Sequence, residues 1–161
     1  MSPYPWYIRL LIWNQKRRYG KPLEPTLYWG RLGSAALYFM LLFRALKRAK
    51  TQVPESLQTL VQTLVSKINR CSFCTDLNSE LAKCAGNDED KIAKLLQYKD
   101  SELFTQSEKA VLAYAEAVTL NQKADLKGLR EIYDEQTIIQ LTALIAFQNM
   151  SSKFNTALGL A

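Results

Sequence analysis

From residue 54 onward the chain spaces its apolar residues by three and four. Leu57, Leu60, Val61, Leu64, Val65 and Ile68 recur with the period of a helix that buries one face. No stretch of useful length alternates as a half-buried strand would, and glycine is scarce, with 6 in 161 residues. No internal repeat long enough for a solenoid is present. The pattern therefore predicts an all-α helical bundle. It places helices over 54–68, 71–84, 88–97, 105–120, 125–133 and 134–150. Ala85-Gly86-Asn87 offers a glycine where the second helix must stop. Thr105-Gln106-Ser107-Glu108 has the form of a capping box, and the helix it opens buries Val111, Tyr114, Ala115 and Val118. The run from Ile138 to Phe147 is apolar on most sides, which suits the middle of a bundle or a subunit contact.

The first fifty residues have a different character. The net charge of +6 divides unevenly, with ten basic residues against one acid, Glu24, up to residue 50, and eleven against fourteen beyond it. Four of the five prolines (Pro3, Pro5, Pro22, Pro25) and all three tryptophans (Trp6, Trp13, Trp29) fall in the first 30 residues. A short helix over 6–18, stopped by Gly20 and Pro22, and a second over 32–50 with a basic end that suits the helix dipole are predicted. Residues 1–50 thus read as a basic aromatic N-terminal arm that packs on the core or on a neighbouring subunit, and 51–161 as the main domain. The basic residues are dispersed, and nucleic-acid binding is not the expected role. The apolar stretch Ala35–Phe43 falls short of the roughly 20 residues a membrane-spanning helix needs. No signal-peptide pattern is seen, and a cytoplasmic location is expected.

Histidine is absent, which removes Ser-His and Cys-His catalytic pairs and histidine-ligated metals. Three cysteines, Cys71, Cys74 and Cys84, are an odd number, which argues against an extracellular disulfide framework. In Cys71-Ser72-Phe73-Cys74, a helical advance of about 100° per residue sets the two sulfurs about 60° apart, so they can face one pocket. Asn78 shares that face. Cys84 lies about 140° away and reads as a small buried hydrophobe. A CxxC at a helix start suits dithiol–disulfide exchange, because the loop is short and the amide hydrogens favour thiolate. Zinc binding and two incidental packed cysteines are the competing readings, and the former lacks ligands to complete an ordinary four-ligand site.

The stretch LVSKINRCSFCTDLNSELAKCAG and the C-terminal LIAFQNMSSKFNTALGL resemble the alkyl hydroperoxidase D-like, carboxymuconolactone decarboxylase family over about residues 54–161. The resemblance implies an all-helical homo-oligomer, often a trimer or hexamer. It implies a redox branch that reduces peroxides or exchanges disulfides through CxxC. Cys74 then corresponds to the nucleophile that forms a sulfenate, and Cys71 to its proton donor and resolving partner.

Two positions depart from the family pattern. That branch has a glutamate twelve residues before the first cysteine and a histidine four after the second, linked as a proton relay. Here Thr59 and Asn78 stand in those places, and neither is a good base near neutral pH. Arg70 and Lys67 are read as solvated side chains, and Asp76 and Glu80 as a polar outer face. The expected function is a CxxC dithiol oxidoreductase in antioxidant defence, with peroxidase or disulfide reductase activity weakened by the lost relay. A catalytically silent binding or assembly module and a cofactor-free lactone decarboxylase are the alternatives. No cofactor is expected, since no dinucleotide-binding glycine fingerprint is present. Electrons would come from a thioredoxin-like or lipoyl-bearing protein.

Overall fold

A computed structural model describes residues 3–160. The two ranges drawn from the sequence reach residues 1, 2 and 161, which lie outside the described residues. Every regular element among the described residues is helical: α1 (Trp6–Tyr19), α2 (Glu24–Trp29), α3 (Ser34–Arg48), α4 (Glu55–Ile68), α5 (Ser72–Cys84), α6 (Glu89–Ala93), α7 (Gln106–Thr119), α8 (Leu126–Ile132) and α9 (Glu135–Ala157), with 3-10 turns at Gly30–Leu32 and Lys94–Gln97. The described residues fall into two compact units. One runs up to Arg48 and includes Leu160, and the other is Ala49–Gly159.

In the N-terminal unit, α1 ends at Gly20, whose left-handed backbone, φ 75°, lets its N–H bond the Lys16 carbonyl at 3.0 Å. The stop expected at Gly20 and Pro22 is where α1 ends, and a further helix not expected from the sequence, α2, follows. Pro25 occupies the first turn, where a missing N–H costs no helical bond. Gln15 ties the two helices, donating to Thr26 Oγ1 at 2.8 Å and accepting from the Leu23 N–H at 3.1 Å. Gly30 is a close-approach glycine, since a Cβ there would lie 2.6 Å from Ile8 Cγ2. Tyr7 donates to the Gly33 carbonyl at 2.7 Å, and Trp29 stacks on Phe39 with ring centroids 4.1 Å apart. Trp6, Leu10 and Trp13 line an exposed stripe of α1.

The C-terminal unit is centred on α4, which packs against α5, α7 and α9. Leu57, Leu60, Val61, Leu64 and Val65 are buried as the spacing requires, while Ile68 is half-buried. Each fully buried aliphatic side chain contributes about 1.5–3 kcal/mol. The capping box at Thr105 and Glu108 is formed. Residues 88–97 do not make one helix as expected. The segment tightens into a 3-10 turn after Ala93, and Ile92, Leu95 and Tyr98 are all buried, a spacing of three that suits the 3-10 repeat. The last helix runs past Met150 to Ala157, because the polar residues that seemed to end its apolar pattern continue its buried face.

Candidate functional site: a dithiol in a neutral polar seam

The cysteines sit where α4 turns directly into α5. The Cys71 N–H reaches back to the Ser66 carbonyl at 3.1 Å and the Arg70 N–H to the Lys67 carbonyl at 3.0 Å. This pair of bonds is the Schellman closure of α4. It places Arg70 in the left-handed region, φ 55°, where a non-glycine residue is disfavoured by about 1 kcal/mol or more. Cys71 thereby closes α4 and caps α5 at once, and its Sγ accepts the Cys74 N–H at 3.2 Å. The two sulfurs are joined as a disulfide, with Cα atoms 5.2 Å apart. Cys71 is 0% and Cys74 4% exposed, so both members of the pair are buried.

The surroundings are polar but uncharged. From α4, Thr59, Gln62, Thr63 and Ser66 are buried along one side of the helix, and from α5 Asn78 is buried with them. Asn78 Nδ2 donates to Ser66 Oγ at 2.9 Å, and Ser66 in turn donates to the Gln62 carbonyl at 2.8 Å. From α9, Gln148, Ser152 and Asn155 are buried on one face, and Asn155 Nδ2 lies 3.3 Å from Cys74 Sγ and 3.9 Å from Cys71 Sγ. Asn155 is the site residue that the sequence reading missed. Its signal was present as a polar set at 148, 152 and 155 with helical spacing, which a search for apolar periodicity passes over.

The structure brings Cys71, Cys74 and Asn78 to one side of α5, as the helical advance requires. Thr59 turns its hydroxyl to the Ser56 and Glu55 carbonyls at 2.7 and 3.1 Å, whereas Asn78 bonds Ser66. Both amide atoms of the buried Gln62 have no hydrogen-bond partner among the described residues.

Two expectations are corrected. Cys84 is a free, exposed cysteine rather than a buried one, because it lies on the outer side of α5. Lys67 is not a solvated side chain. Its Nζ donates to the Ile92 carbonyl at 2.8 Å, and burial lowers its pKa below the ordinary lysine value. Asp76, Glu80 and Arg70 are exposed, and Glu80 pairs with Lys83 at 3.1 Å. Among the described residues, no three His, Cys, Asp or Glu side chains converge as a metal site requires. A groove of about 430 Å³ between α7, α8 and α9, lined in part by Tyr114, Arg130, Ile139 and Thr142, includes neither cysteine of the pair.

The carboxymuconolactone decarboxylase family pattern matches residues 34–117. That match begins at the start of α3, upstream of residue 54 where the resemblance read from the sequence set in, and stops short of α9. The chain is 30% identical over 165 residues to the uncharacterized protein YnjA of Escherichia coli (strain K12), covering 99% of this chain and 90% of that protein. Two solved structures share the fold. One is an alkylhydroperoxidase AhpD core, an uncharacterized peroxidase-related protein from Ralstonia eutropha JMP134, with TM-score 0.82 at 16% identity over 98% of this chain and 86% of that one. The other is the debrominase Bmp8, with TM-score 0.77 at 21% identity over 95% of this chain and 84% of that one. No described helix is long and apolar enough to cross a membrane. With an all-helical fold shared with these structures and a family match over more than half its length, this chain belongs to the carboxymuconolactone decarboxylase family.

Proposed function

We propose that the chain is a dithiol oxidoreductase that reduces peroxides or exchanges disulfides through Cys71 and Cys74. The observation that carries this reading is the pair itself. The two sulfurs lie within bonding distance at a helix start, and each is approached by an N–H donor. Donors aimed at sulfur favour the thiolate, which is the attacking species.

In the peroxide reaction, the Cys74 thiolate attacks one peroxide oxygen and breaks the O–O bond. It becomes a sulfenic acid, and the departing alkoxide takes the Cys71 proton to leave as an alcohol. The resulting Cys71 thiolate displaces hydroxide from the sulfenic sulfur, closing the disulfide, and a proton from solvent completes the water. A dithiol donor of the thioredoxin or lipoyl type returns two electrons and two protons. With Thr59 and Asn78 in the relay positions, no carboxylate–imidazole pair assists the first deprotonation, so turnover near neutral pH is slow. Thiol titration of the reduced protein before and after one equivalent of peroxide tests the reading. The expected result is the loss of two thiols per chain, mapped to Cys71 and Cys74, with Cys84 still alkylatable. Retention of all three would end it.

A further inference from the structure

The backbone donors at the start of α5 do not serve the two sulfurs equally. The Cys74 N–H is directed at Cys71 Sγ, and the next amide, of Thr75, bonds the Cys71 carbonyl at 2.9 Å. Beyond this first turn the helix amides are taken up by helix carbonyls. The amide at this end that bonds a sulfur therefore serves Cys71, and the donor at Cys74 Sγ comes from another element. Asn155 of α9 is in that position, 2% exposed, with Nδ2 3.3 Å from Cys74 Sγ. A disulfide sulfur offers lone pairs and no hydrogen, so the carboxamide presents its NH₂ to it.

We propose that Asn155 is a catalytic residue of this centre, its NH₂ holding the Cys74 sulfur as a thiolate once the disulfide opens. The inference rests on the dithiol reading given above. Among the described residues of α4, α5 and α9, no Lys or Arg bonds Cys74. On α4, Lys67 is held by the Ile92 carbonyl, and the turn residue Arg70 is exposed. Asp76 and Glu80 of α5 and Lys153 of α9 are exposed, while Glu89 at the start of α6 pairs with Lys83 at 2.8 Å. What α4 and α9 bury on this side is neutral: Thr59, Gln62 and Ser66, and Gln148, Ser152 and Asn155. The Gln148 amide donates to Ser152 Oγ at 3.0 Å, which orders the same face of α9. The carboxamide therefore stands in for a positive charge without itself taking or giving a proton.

The test uses full-length protein with Cys71→Ser and Cys84→Ser, which leaves Cys74 as the sole thiol and keeps a good helix cap at position 71. Alkylation by iodoacetamide is followed from pH 5 to 10, with Asn155→Ala and the nearly isosteric Asn155→Asp added in turn. One hydrogen bond to a thiolate corresponds to about one to two pKa units. Because a more basic thiolate is also a better nucleophile, Asn155→Ala should slow alkylation at pH 7 by about threefold to fifteenfold rather than by the full change in thiolate fraction. Asn155→Asp should move the pKa further upward, since a carboxylate repels the thiolate. An unchanged pKa in either variant that keeps the helical circular dichroism of its parent would overturn the proposal. So would mass mapping of reduced wild type that finds Cys71, not Cys74, alkylated first at pH 7, a result that needs no folded variant. Peroxide turnover is read separately. A shifted Cys74 pKa in a protein that consumes no peroxide would keep Asn155 and remove the peroxidase reading, whereas Cys74-dependent turnover with no shift would remove Asn155 alone.

Discussion

Around the cysteines, the buried polar side chains that α4 and α9 contribute are amides and hydroxyls, whereas the segment from α6 to α7 makes ion pairs. There Lys91 meets Glu108 at 2.6 Å and Lys99 meets Glu116 at 2.7 Å, with Tyr98 donating to Glu116 at 2.6 Å. Burial tends to raise both carboxyls, but the Lys91 and Thr105 bonds to Glu108, and the Lys99 and Tyr98 bonds to Glu116, outweigh it and hold both below the ordinary glutamate value. Burial, then the Glu116 hydrogen bond, pushes the Tyr98 phenol above its usual range. Glu108 and Glu116 thus stay ionised near neutral pH, and their ion pairs act as structure. The neutral seam supplies donors to sulfur and, among the described residues, no carboxylate bonded to either cysteine.

The largest effect expected is at the seam. Cys74→Ser should abolish peroxide consumption, while Cys71→Ser should leave a sulfenate on Cys74 that a dimedone-type reagent traps. Equal turnover in the two variants would contradict the assigned roles. Next comes conversion of the neutral seam to a charged one. Thr59→Glu combined with Asn78→His should raise turnover near pH 7 about tenfold or more, and either change alone should give less. Wild type should accelerate as pH rises toward the thiol's own pKa. A wild-type rate that is already high and flat from pH 6 to 9 would show that some other group activates Cys74. Because Thr59 is 2% exposed, the added volume should also cost about 1–3 kcal/mol of stability, read from a urea melt.

Smaller effects belong to structure alone. Asn78→Leu removes the donor to Ser66 and should cost about 1 kcal/mol or somewhat more, without altering the acid limb of stability. The ion-paired cluster should show the opposite behaviour. Glu108 and Glu116 have folded pKa values below the unfolded value of about 4.5. Their contribution is therefore present above that pH and is lost as pH falls through the folded values. Glu116→Gln should flatten part of this acid limb while costing about 1 kcal/mol or less at pH 7. An unaltered melt profile between pH 5 and 2 would break the contrast between the two clusters. The smallest change is Arg70→Gly, which relieves the left-handed backbone at the α4–α5 turn and should stabilise by about 0.5 kcal/mol, net of the greater freedom glycine gives the unfolded chain.

Helix periods, caps and stops are local, and the sequence alone was enough to place α4, α5 and α7, though it put Cys84 of α5 on the buried side when that residue is exposed. The spacing of Cys71, Cys74 and Asn78 was equally legible, since one helix fixes all three. The length of α9 was not. Gln148, Ser152 and Asn155 look like the solvated end of an apolar helix until α9 is packed against its neighbours, and only that packing makes them a buried polar face. The same holds for Lys67, which a one-dimensional reading leaves in water and the fold ties to the Ile92 carbonyl. Asn155 lies 81 residues from Cys74 along the chain, and periodicity within a segment carries no information about which distant side chain approaches it. Sequence determined where the thiols are and which local amide caps Cys71; tertiary structure decided what donates to Cys74, because a hydrogen bond between α5 and α9 exists only once both are packed in the bundle.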